Sequence, residues 1–461
     1  MFLIPPINHH AGHPVIRGRS LLWGCLMLLV YSLPSIQAAE NSLTWDRNGE
    51  RITADVSGWT IEKTLEEMAA RTGWEIYMEP DSEHTVWTRF RNLPVGEALG
   101  RIAGKLNYAL IPRPGQPDQL FVFSTRKDKA TKKIIAKKSN KLDDELILTL
   151  EDGMDPDEIT RKLNGKIIGK IDGLNVFRMK FDDPASVDIA LDQLSQLDGV
   201  ESDFNYYIEA PPTPLPSPNT TAFPLNLDPT PVSREDAIVI GLIDTAIQLE
   251  GSPYAEFVLD TLNLGQSATT SSIAPTHGTH VLDALLTGIA ASGEGSTKVR
   301  IVAVDVYGNN LSTTTYDATA GGVKAVENGA TVLNFSLGGP DDTTYFRDFI
   351  DNVTDKGVVV VASAGNNGST TSIYPAAFEK TISVTALGAD GQLTSYANQS
   401  PTVDAAAPGI NYAEFNHRTY VSEGTSVASP QVAGAIAHGI EAGLTPAQAT
   451  QTVVESSPVP K

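Results

Sequence analysis

The sequence predicts an α/β protein whose largest part is a central parallel sheet flanked by helices, preceded by two small α+β domains. Continuous apolar runs such as Ala237–Ile243 and Val358–Val361 are typical of strands buried on both faces of a parallel sheet. Segments with helical periodicity separate these runs. Upstream, residues 50–125 and 142–210 each alternate short strand patterns with short helix patterns, which predicts two smaller units.

The composition is that of an ordinary globular protein with several domains. The chain has 461 residues, which predicts about three domains, and 41% of the residues are hydrophobic, enough to build real cores. The formal net charge is −21 at pH 7. Because so acidic a chain repels a polyanion, we expect no nucleic-acid partner.

Residues 1–39 have the pattern of a secretory signal peptide. Two arginines precede the apolar run Leu21–Val30, and the small residues of Ser35–Ala39 offer cleavage sites. We therefore expect removal of this segment and export to the periplasm or the extracellular space. Retention as a membrane anchor is the alternative, whereas a lipoprotein site at Cys25 is disfavoured by the bulky Trp23 nearby. Cys25 is the only cysteine, so the mature chain should contain no disulfide.

Residues 50–125 are expected to fold as the first small α+β domain. Leu65 and Met68, at helical spacing, precede Thr72–Trp74, and Leu93–Leu99 leads into a second helix. This pattern resembles the short N-terminal domain shared by secretins and TonB-dependent receptors. The resemblance implies a bacterial envelope setting and an envelope protein partner, without catalysis. An unrelated small α+β module is the alternative.

Two segments have the composition of linkers. Residues 126–141 contain 8 Lys and Arg against one Asp, which predicts a solvated, protease-sensitive tether. Residues 211–234 contain 8 prolines between Pro211 and Pro231, which predicts an extended connection.

Residues 142–210, between these linkers, are expected to form the second α+β domain. Its patterns follow the order β-α-β-β-α-β of a ferredoxin-like fold. The last strand pattern, Gly199–Tyr207, begins with Gly-Val-Glu and contains the pair Asn205–Tyr206. In this position the segment resembles the propeptide domain of subtilisin-like proteases. The resemblance implies that it assists the folding of a protease domain and then inhibits it by occupying its cleft.

A carboxylate and a histidine lie where predicted elements end and begin. The buried strand Ala237–Ile243 is followed directly by Asp244, and open α/β sheets bind ligands at the carboxyl ends of such strands. His277 starts a segment of helical spacing, Thr276–Ile289, which would bring it within reach of that carboxylate. His280, one turn further on, is expected to pack or hydrogen-bond in the core.

Further motifs supply candidates for nucleophilic chemistry. Ser336–Gly338 and Ala364–Gly365 follow strand-like runs, and Asn366 offers a side-chain amide to an oxyanion. Ser426, within Gly424–Pro430, lies at the predicted start of a helix, where free backbone N–H groups favour developing negative charge. The proline of this motif is expected in the first helical turn, where its missing N–H group matters least.

Together these motifs resemble those of the subtilisin-like serine proteases, from Ala237 to about Glu455. The chain order Asp, His, Ser is that of the subtilisins. The resemblance implies that Asp244 orients His277, which acts as general base and acid for the nucleophile Ser426. Asn366 would be the oxyanion donor. The positions implied to line the substrate cleft are Ser336, Leu337, Gly338, Ala364 and Gly365.

The sequence therefore predicts a secreted serine endopeptidase, made as an autoinhibited precursor and acting on proteins or peptides. Ala246 departs from the family pattern, in which glycine usually follows Asp-Thr. The loop Gly288–Lys298 has only Glu294 as a carboxylate, and Ca²⁺ needs several oxygen ligands, so no metal or other cofactor is expected. A catalytically silent or permanently inhibited binding protein of the cell envelope is the alternative.

Overall fold

The computed structural model describes residues 42–46, 51–80, 82–113, 116–134, 140–218, 220–222, 225–250, 252–265, 267–270, 273–293 and 295–460. The chain forms two structural units, residues 1–139 and 140–461. Among the described residues, no helix is long and apolar enough to span a membrane. The predicted signal peptide and Cys25 lie outside the described residues.

The first unit consists of two small sheets that share one core with two helices. Its elements are β1 Ser42–Asp46, β2 Arg51–Thr60, α1 Ile61–Thr72, β3 Glu75–Met78, β4 Thr85–Pro94, α2 Val95–Ala103, β5 Asn107–Ile111, β6 Gln119–Phe123 and β7 Lys132–Ile134. One sheet has the strand order β1-β2-β4, and the other has the order β5-β6-β3-β7. Leu65, Met68 and Leu99 lie in the shared core, as their helical spacing predicted.

Part of the segment expected to be a tether, residues 126–141, is a strand, which corrects the prediction. β7 pairs antiparallel with β3, and Ile134 is 4% exposed in the core of the first unit. Lys132, on the same strand, forms an ion pair with Glu62 at 2.7 Å. An edge strand with exposed lysines has the composition of a solvated linker, so the charge count did not reveal it.

The second unit begins with a small domain that has the predicted βαββαβ order. Its elements are β8 Lys141–Leu150, α3 Pro156–Leu163, β9 Lys166–Ile171, β10 Val176–Lys180, α4 Pro184–Leu194 and β11 Val200–Glu209. The strand order is β11-β8-β10-β9, with all neighbours antiparallel. Aspartates cap both helices: Asp155 accepts from the N–H group of Asp157, and Asp183 from that of Ser186. We call this part the prodomain-like domain.

A seven-stranded parallel sheet is the centre of the rest of the second unit, whose part from residue 235 onwards we call the larger domain. The remaining elements are β12 Leu215–Pro216, β13 Asp228–Pro229, β14 Ile238–Asp244, β15 Val258–Asn263, α5 His277–Ser292, β16 Ser296–Thr297, β17 Val299–Asp305, β18 Ser312–Thr314, α6 Thr315–Glu327, β19 Val332–Phe335, α7 Thr344–Asp355, β20 Val359–Ser363, β21 Thr381–Leu387, β22 Ala405–Pro408, β23 Ile410–Phe415, β24 Arg418–Glu423, α8 Thr425–Glu441 and α9 Pro446–Ser456. The order in the sheet is β15-β17-β14-β19-β20-β21-β22. The predicted α/β class is therefore confirmed.

Helices cover both faces of this sheet. Side chains of α5, α8 and α9 form one core with the sheet, and side chains of α6 and α7 form another on the opposite face. Within the first core, α5 and α8 approach so closely that a Cβ atom placed on Gly288 would lie 2.2 Å from the backbone oxygen of Gln431. This close packing fixes the two helices that carry His277 and Ser426 relative to each other.

The proline-rich segment, residues 211–234, is attached to the larger domain rather than free. β12 pairs with β24, and β13 pairs in parallel with β16. The N–H group of Ser217 donates to the carbonyl of Thr419 at 2.8 Å. The described parts of the segment are therefore held at two places, β24 and β16.

Candidate active site

The structure brings Asp244 and His277 into direct contact. Asp244 ends β14 and His277 is the first residue of α5, whose N-cap residue Thr276 accepts from the N–H group of Thr279. His277 Nδ1 lies 2.8 Å and 3.0 Å from the two carboxylate oxygens. A carboxylate oxygen can only accept, so Nδ1 carries the proton and Nε2 is left as an acceptor.

Both side chains are buried, and the carboxylate has further donors. Asp244 is 1% exposed and His277 is 3% exposed. The N–H group of Thr245 donates to Asp244 Oδ1 at 2.6 Å, and the Thr245 hydroxyl donates to the same oxygen at 3.1 Å. These bonds satisfy the buried charge and hold the carboxylate in one orientation.

Ser426 completes a continuous chain of hydrogen bonds with these two residues. It is the second residue of α8, and its Oγ lies 3.0 Å from His277 Nε2. A deprotonated Nε2 at this distance is placed to accept the hydroxyl proton. At the start of α8 the backbone N–H group of Ser426 belongs to the first helical turn, where N–H groups lack intrahelical acceptors.

Asn366 is fixed by Thr425 so that its amide group faces the nucleophile turn. Asn366 Oδ1 accepts from the backbone N–H group of Thr425 at 2.8 Å and from its hydroxyl at 3.0 Å. The amide nitrogen is thereby left for another acceptor. A Cβ atom placed on Gly424 would lie 2.9 Å from this nitrogen and 3.2 Å from Ser426 Oγ, so all three groups meet at one point. Gly424 also has φ 146°, which favours glycine.

Thr425 has a role in this turn that the sequence motifs did not predict. Besides its bonds to Asn366, its hydroxyl accepts from the N–H group of Gly365 at 3.1 Å. It therefore joins the nucleophile turn to the cleft wall opposite. The Gly-Thr-Ser motif was the available signal, since a hydroxyl beside the nucleophile can both donate and accept.

Pro430 is not in the first turn of its helix, which corrects the prediction. It is the sixth residue of α8 and lies inside the helix. Without an N–H group at Pro430, the carbonyl of Ser426, four residues earlier, has no helical donor. The hydroxyl of Ser336 donates to that carbonyl at 2.8 Å instead. The proline thus frees a carbonyl of the nucleophile for a bond to the cleft wall.

The cleft positions expected from the sequence form two walls beside Ser426. Ser336, Leu337 and Gly338 form the first, and Ala364 and Gly365 form the second. The first wall is joined to α8 through Ser336, and the second through Thr425. Leu337 is 5% exposed and packs in the same core as Ile208 of the prodomain-like domain.

The methyl group of Ala246 is compatible with the loop after Asp244. Ala246 does not have a positive φ, so its backbone does not require glycine. Its carbonyl accepts from the hydroxyl of Thr276 at 2.5 Å, which joins this loop to the start of α5. The departure from the family pattern therefore leaves the Asp244–His277 contact intact.

His280 is buried in the core, as predicted. Burial, and secondarily the nearby His277, lowers the pKa of His280 to about 3, so its ring is neutral in the folded protein. One turn further along α5, Asp283 accepts hydrogen bonds from the hydroxyl of Tyr254 and from the side chain of Asn411. Burial raises the pKa of the Asp283 carboxyl.

The prodomain-like domain contacts the larger domain beside this site. β11 pairs antiparallel with β18, from Tyr207 with Thr314 to Glu209 with Ser312. The N–H group of Ala210 continues the ladder, donating to the carbonyl of Leu311 at 2.9 Å. The five-stranded sheet β18-β11-β8-β10-β9 therefore contains one strand of the larger domain.

Polar side chains of the same strand reach the beginnings of two helices. Asp203 accepts from the N–H group of Thr344, the first residue of α7, at 2.6 Å. Asn205 is fully buried and accepts from the N–H group of Tyr316 in α6 at 3.2 Å. Its amide donates to Glu145 of the same prodomain-like domain at 2.9 Å. These helix starts thus receive part of their capping from β11.

Within the part of the chain that the structure describes, no group of three or more His, Cys, Asp or Glu side chains could hold a metal ion. Near Ser426, the carboxylate of Asp244 accepts hydrogen bonds from His277 and Thr245.

Residues 235–459 match the subtilase family, peptidase S8, and residues 129–202 match the Fervidolysin N-terminal prodomain. The chain is similar to Subtilisin DY of Bacillus licheniformis, with 35% identity over 213 residues that cover 43% of this chain and 75% of that protein. It is also similar to Thermitase of Thermoactinomyces vulgaris, with 34% identity over 204 residues that cover 42% of this chain and 72% of that protein. A Thermophilic serine proteinase of Bacillus sp. strain AK1 is 40% identical over 167 residues, 34% of this chain and 41% of that protein. The match to the subtilase family includes every site residue from Asp244 to Ser426.

Proposed function

Because the chain belongs to the subtilase family of serine endopeptidases and carries a prodomain-like region, we propose that it hydrolyses peptide bonds through Asp244, His277 and Ser426. The observation that supports this assignment is the unbroken chain of hydrogen bonds from Asp244 through His277 to Ser426 Oγ. These three side chains have the geometry that a serine nucleophile, its base and an orienting acid require.

In the first half of the reaction, Ser426 Oγ attacks the carbonyl carbon of the substrate. His277 Nε2 accepts the hydroxyl proton as the new C–O bond forms, and Asp244 stabilises the imidazolium through the Nδ1 proton. The carbonyl oxygen becomes an oxyanion. Collapse of this intermediate breaks the C–N bond, and His277 gives its proton to the leaving amine. An acyl group then remains on Ser426.

In the second half, a water molecule gives a proton to His277 and attacks the acyl carbon. The second tetrahedral intermediate collapses, the acid product leaves, and Ser426 recovers its proton from His277. Asp244 keeps the ring in the same orientation through both halves. The bonds from Thr245 keep the Asp244 carboxylate in place.

Asn366 is proposed to stabilise both oxyanions, together with the backbone N–H group of Ser426. The support is the bond from Thr425 to Asn366 Oδ1, which turns the amide nitrogen towards the nucleophile. Loss of one such donor costs roughly 2.7–4 kcal/mol of transition-state stabilisation, the range found for the side-chain donor of subtilisin.

The precursor is proposed to be autoinhibited by its own prodomain-like domain. In support, β11 occupies the edge of β18, and Ile208 packs in the core that includes the cleft residue Leu337. A substrate could not add a strand at the same edge while β11 is paired there. Removal of this domain would then open the cleft to protein and peptide substrates.

Export to the periplasm or the extracellular space belongs to the same proposal, and so does an envelope partner for the first unit. Their support is the signal-like segment 1–39 and the pattern of residues 50–125. Fractionation of cells that produce the full chain tests export: the processed protein should be recovered outside the cytoplasm, and cytoplasmic retention of the whole population would contradict it.

A fluorophosphonate probe tests the assignment of the nucleophile. The full chain, after its prodomain-like domain has been removed by processing, should form a covalent adduct at Ser426, located by mass spectrometry. Ser426→Ala should form none, and His277→Ala should form far less because no base activates the hydroxyl. The alternative of a catalytically silent binding protein predicts no adduct in the wild-type chain.

A further inference from the structure

We propose that Ile373 closes the pocket that receives the side chain of the substrate residue whose carbonyl is attacked, so that the enzyme prefers a small residue there. We call that substrate residue the acyl residue and its pocket the acyl pocket. This inference rests on the proposed function of Ser426, since it defines which carbonyl is attacked.

The two cleft walls determine where the acyl residue points. The carbonyl under attack must lie between Ser426 Oγ and the amide nitrogen of Asn366. Gly338 ends the first wall, which is joined to α8 by Ser336, and Gly365 directly precedes Asn366 in the second wall. The side chain of the acyl residue therefore enters the space between these two glycines.

Ile373 lies in a segment that hydrogen bonds hold against both walls. On one side, Tyr374 exchanges backbone bonds of 2.7 Å and 3.0 Å with Gly339. On the other side, the side-chain amide of Asn398 donates to the carbonyl of Ala364 at 3.1 Å and to that of Thr371 at 3.4 Å. The backbone on either side of the isoleucine is thus tied to a wall, so the side chain has little room to withdraw.

The branches of Ile373 fill the space between the two glycines. A Cβ atom placed on Gly338 would lie 2.6 Å from Ile373 Cγ2, and one placed on Gly365 would lie 2.7 Å from Ile373 Cγ1. Carbon atoms in contact prefer separations of about 3.5–4.0 Å, so not even a methyl group fits at either position. The isoleucine is only partly buried, which leaves its remaining surface facing open space.

A large side chain of the acyl residue would have to displace Ile373 and strain the segment that carries it. Alanine, glycine or serine would not reach the isoleucine. Small changes of volume in an apolar pocket change enzyme specificity by about 10- to 200-fold per methylene group. Discrimination against phenylalanine and leucine at this position should therefore be substantial.

The experiment uses enzyme obtained from the full chain and peptide p-nitroanilides that differ only in the acyl residue, Ala, Leu or Phe. For the wild type, kcat/KM should be highest with Ala and at least about 10-fold lower with Phe. Ile373→Ala, which removes both branches, should raise kcat/KM for Phe relative to Ala by about 10-fold or more, whereas Ile373→Val, which keeps Cγ1 and Cγ2, should stay close to the wild type. Ile382→Ala removes the same atoms from a partly buried isoleucine of β21 and should leave the preference unchanged.

Different results of this experiment would contradict the role of Ile373 and the proposed function. Titration with a fluorophosphonate gives the amount of competent enzyme in each preparation. If the wild type were not labelled, both the role of Ile373 and the proposed function would be overturned. A labelled enzyme that prefers Phe, or an Ile373→Ala variant with an unchanged Ala-to-Phe ratio, would overturn only the role of Ile373. If Ile373→Ala does not fold, the Ala-to-Phe ratio of the labelled wild type still decides the question, since a preference for Phe would overturn the role of Ile373.

Discussion

At the scale of single residues, Asn366 depends on Thr425 for its orientation, because Thr425 supplies both donors to Asn366 Oδ1. The amide nitrogen is directed at the place where negative charge develops. Such preorganisation matters in the transition state more than in the substrate complex, since the ground-state carbonyl carries less charge.

We predict that Asn366→Ala lowers kcat by about 10²–10³ and changes KM little. The measurement is steady-state hydrolysis of a peptide substrate, with enzyme concentration set by active-site titration. Asn367→Ala is the matched control, because its own contact to Asn398 is made by its backbone N–H group. A larger effect on KM than on kcat would show that the side chain binds substrate rather than the oxyanion.

His280 should make stability depend on pH. Its pKa is lowered to about 3 by burial in the folded chain, against about 6.5 in the unfolded chain. The unfolded chain therefore takes up a proton below about pH 6.5 that the folded chain does not, so stability is lost as the pH falls from there towards 3. At pH 5 the loss is about 2 kcal/mol.

The measurement is chemical denaturation of the wild type and of His280→Gln at pH 8 and pH 5. The difference between their free energies of unfolding should shift by about 2 kcal/mol in favour of the variant at the lower pH. A difference that is the same at both pH values would contradict the assignment of a neutral, buried histidine.

At the scale of elements, α7 takes part of its cap from another domain. Its N-cap residue, Thr343, makes no side-chain capping bond, and Asp203 of β11 accepts from the N–H group of Thr344 instead. The negative charge also lies at the positive end of the helix dipole. The prodomain-like domain therefore supplies part of the N-terminal cap of α7 as long as this domain is attached.

We predict that Asp203→Ala in the full chain speeds amide hydrogen exchange at the start of α7. A lost N-cap typically costs about 0.5–2 kcal/mol, which corresponds to about 2- to 30-fold faster local exchange where local opening controls it. Ser202→Ala, at the exposed neighbouring position of β11, is the control. Unchanged exchange at Thr344–Arg347 in Asp203→Ala would exclude a capping role.

The elements differ in how well the sequence predicted them. β14 and β20 were predictable because strands buried on both faces need continuous apolar runs, and α5 because Thr276 and His277 precede a regular apolar spacing. β7 was not, since one buried isoleucine among lysines has no strand periodicity. β18 was not either, because its three residues pair with β11, a strand more than a hundred residues earlier in the chain.

The sequence predicted which residues lie in the candidate site better than it predicted their hydrogen bonds. The other eight predicted positions lie around Ser426, because strand ends and helix starts of a parallel sheet meet at one edge. The roles of Thr425 and Ser336 were not predicted, since both depend on a partner from another element. Pro430 was misplaced because its effect is on a carbonyl four residues earlier, and the donor that replaces its N–H group is Ser336, which directly follows β19.

At the scale of the whole molecule, the chain places a prodomain-like domain directly before the enzyme and joins the two through residues 210–214. β11 ends against β18, and β12 pairs with β24, the strand that leads to Gly424. Both ends of the connection between β11 and β12 are therefore paired with strands of the larger domain, and Pro214 within it is buried.

We predict that Ser426→Ala blocks cleavage between the prodomain-like and catalytic domains. Both proteins are produced in a host that lacks other proteases of this specificity and are compared by mass spectrometry and N-terminal sequencing. The wild type should be cut between Tyr206 and Arg234, and the variant should stay intact. Normal processing of the variant would contradict self-cleavage and show that another enzyme makes the cut.

The attachment of both ends of this connection has a kinetic consequence. A segment tethered on either side of a catalytic group is present at an effective concentration in the millimolar range, far above that of any second molecule in dilute solution. Self-processing should therefore be first order, with a half-time that does not change when the protein is diluted. Each precursor would carry its own first substrate, and the timing of activation would be a property of the single chain, independent of how much of it the cell has made.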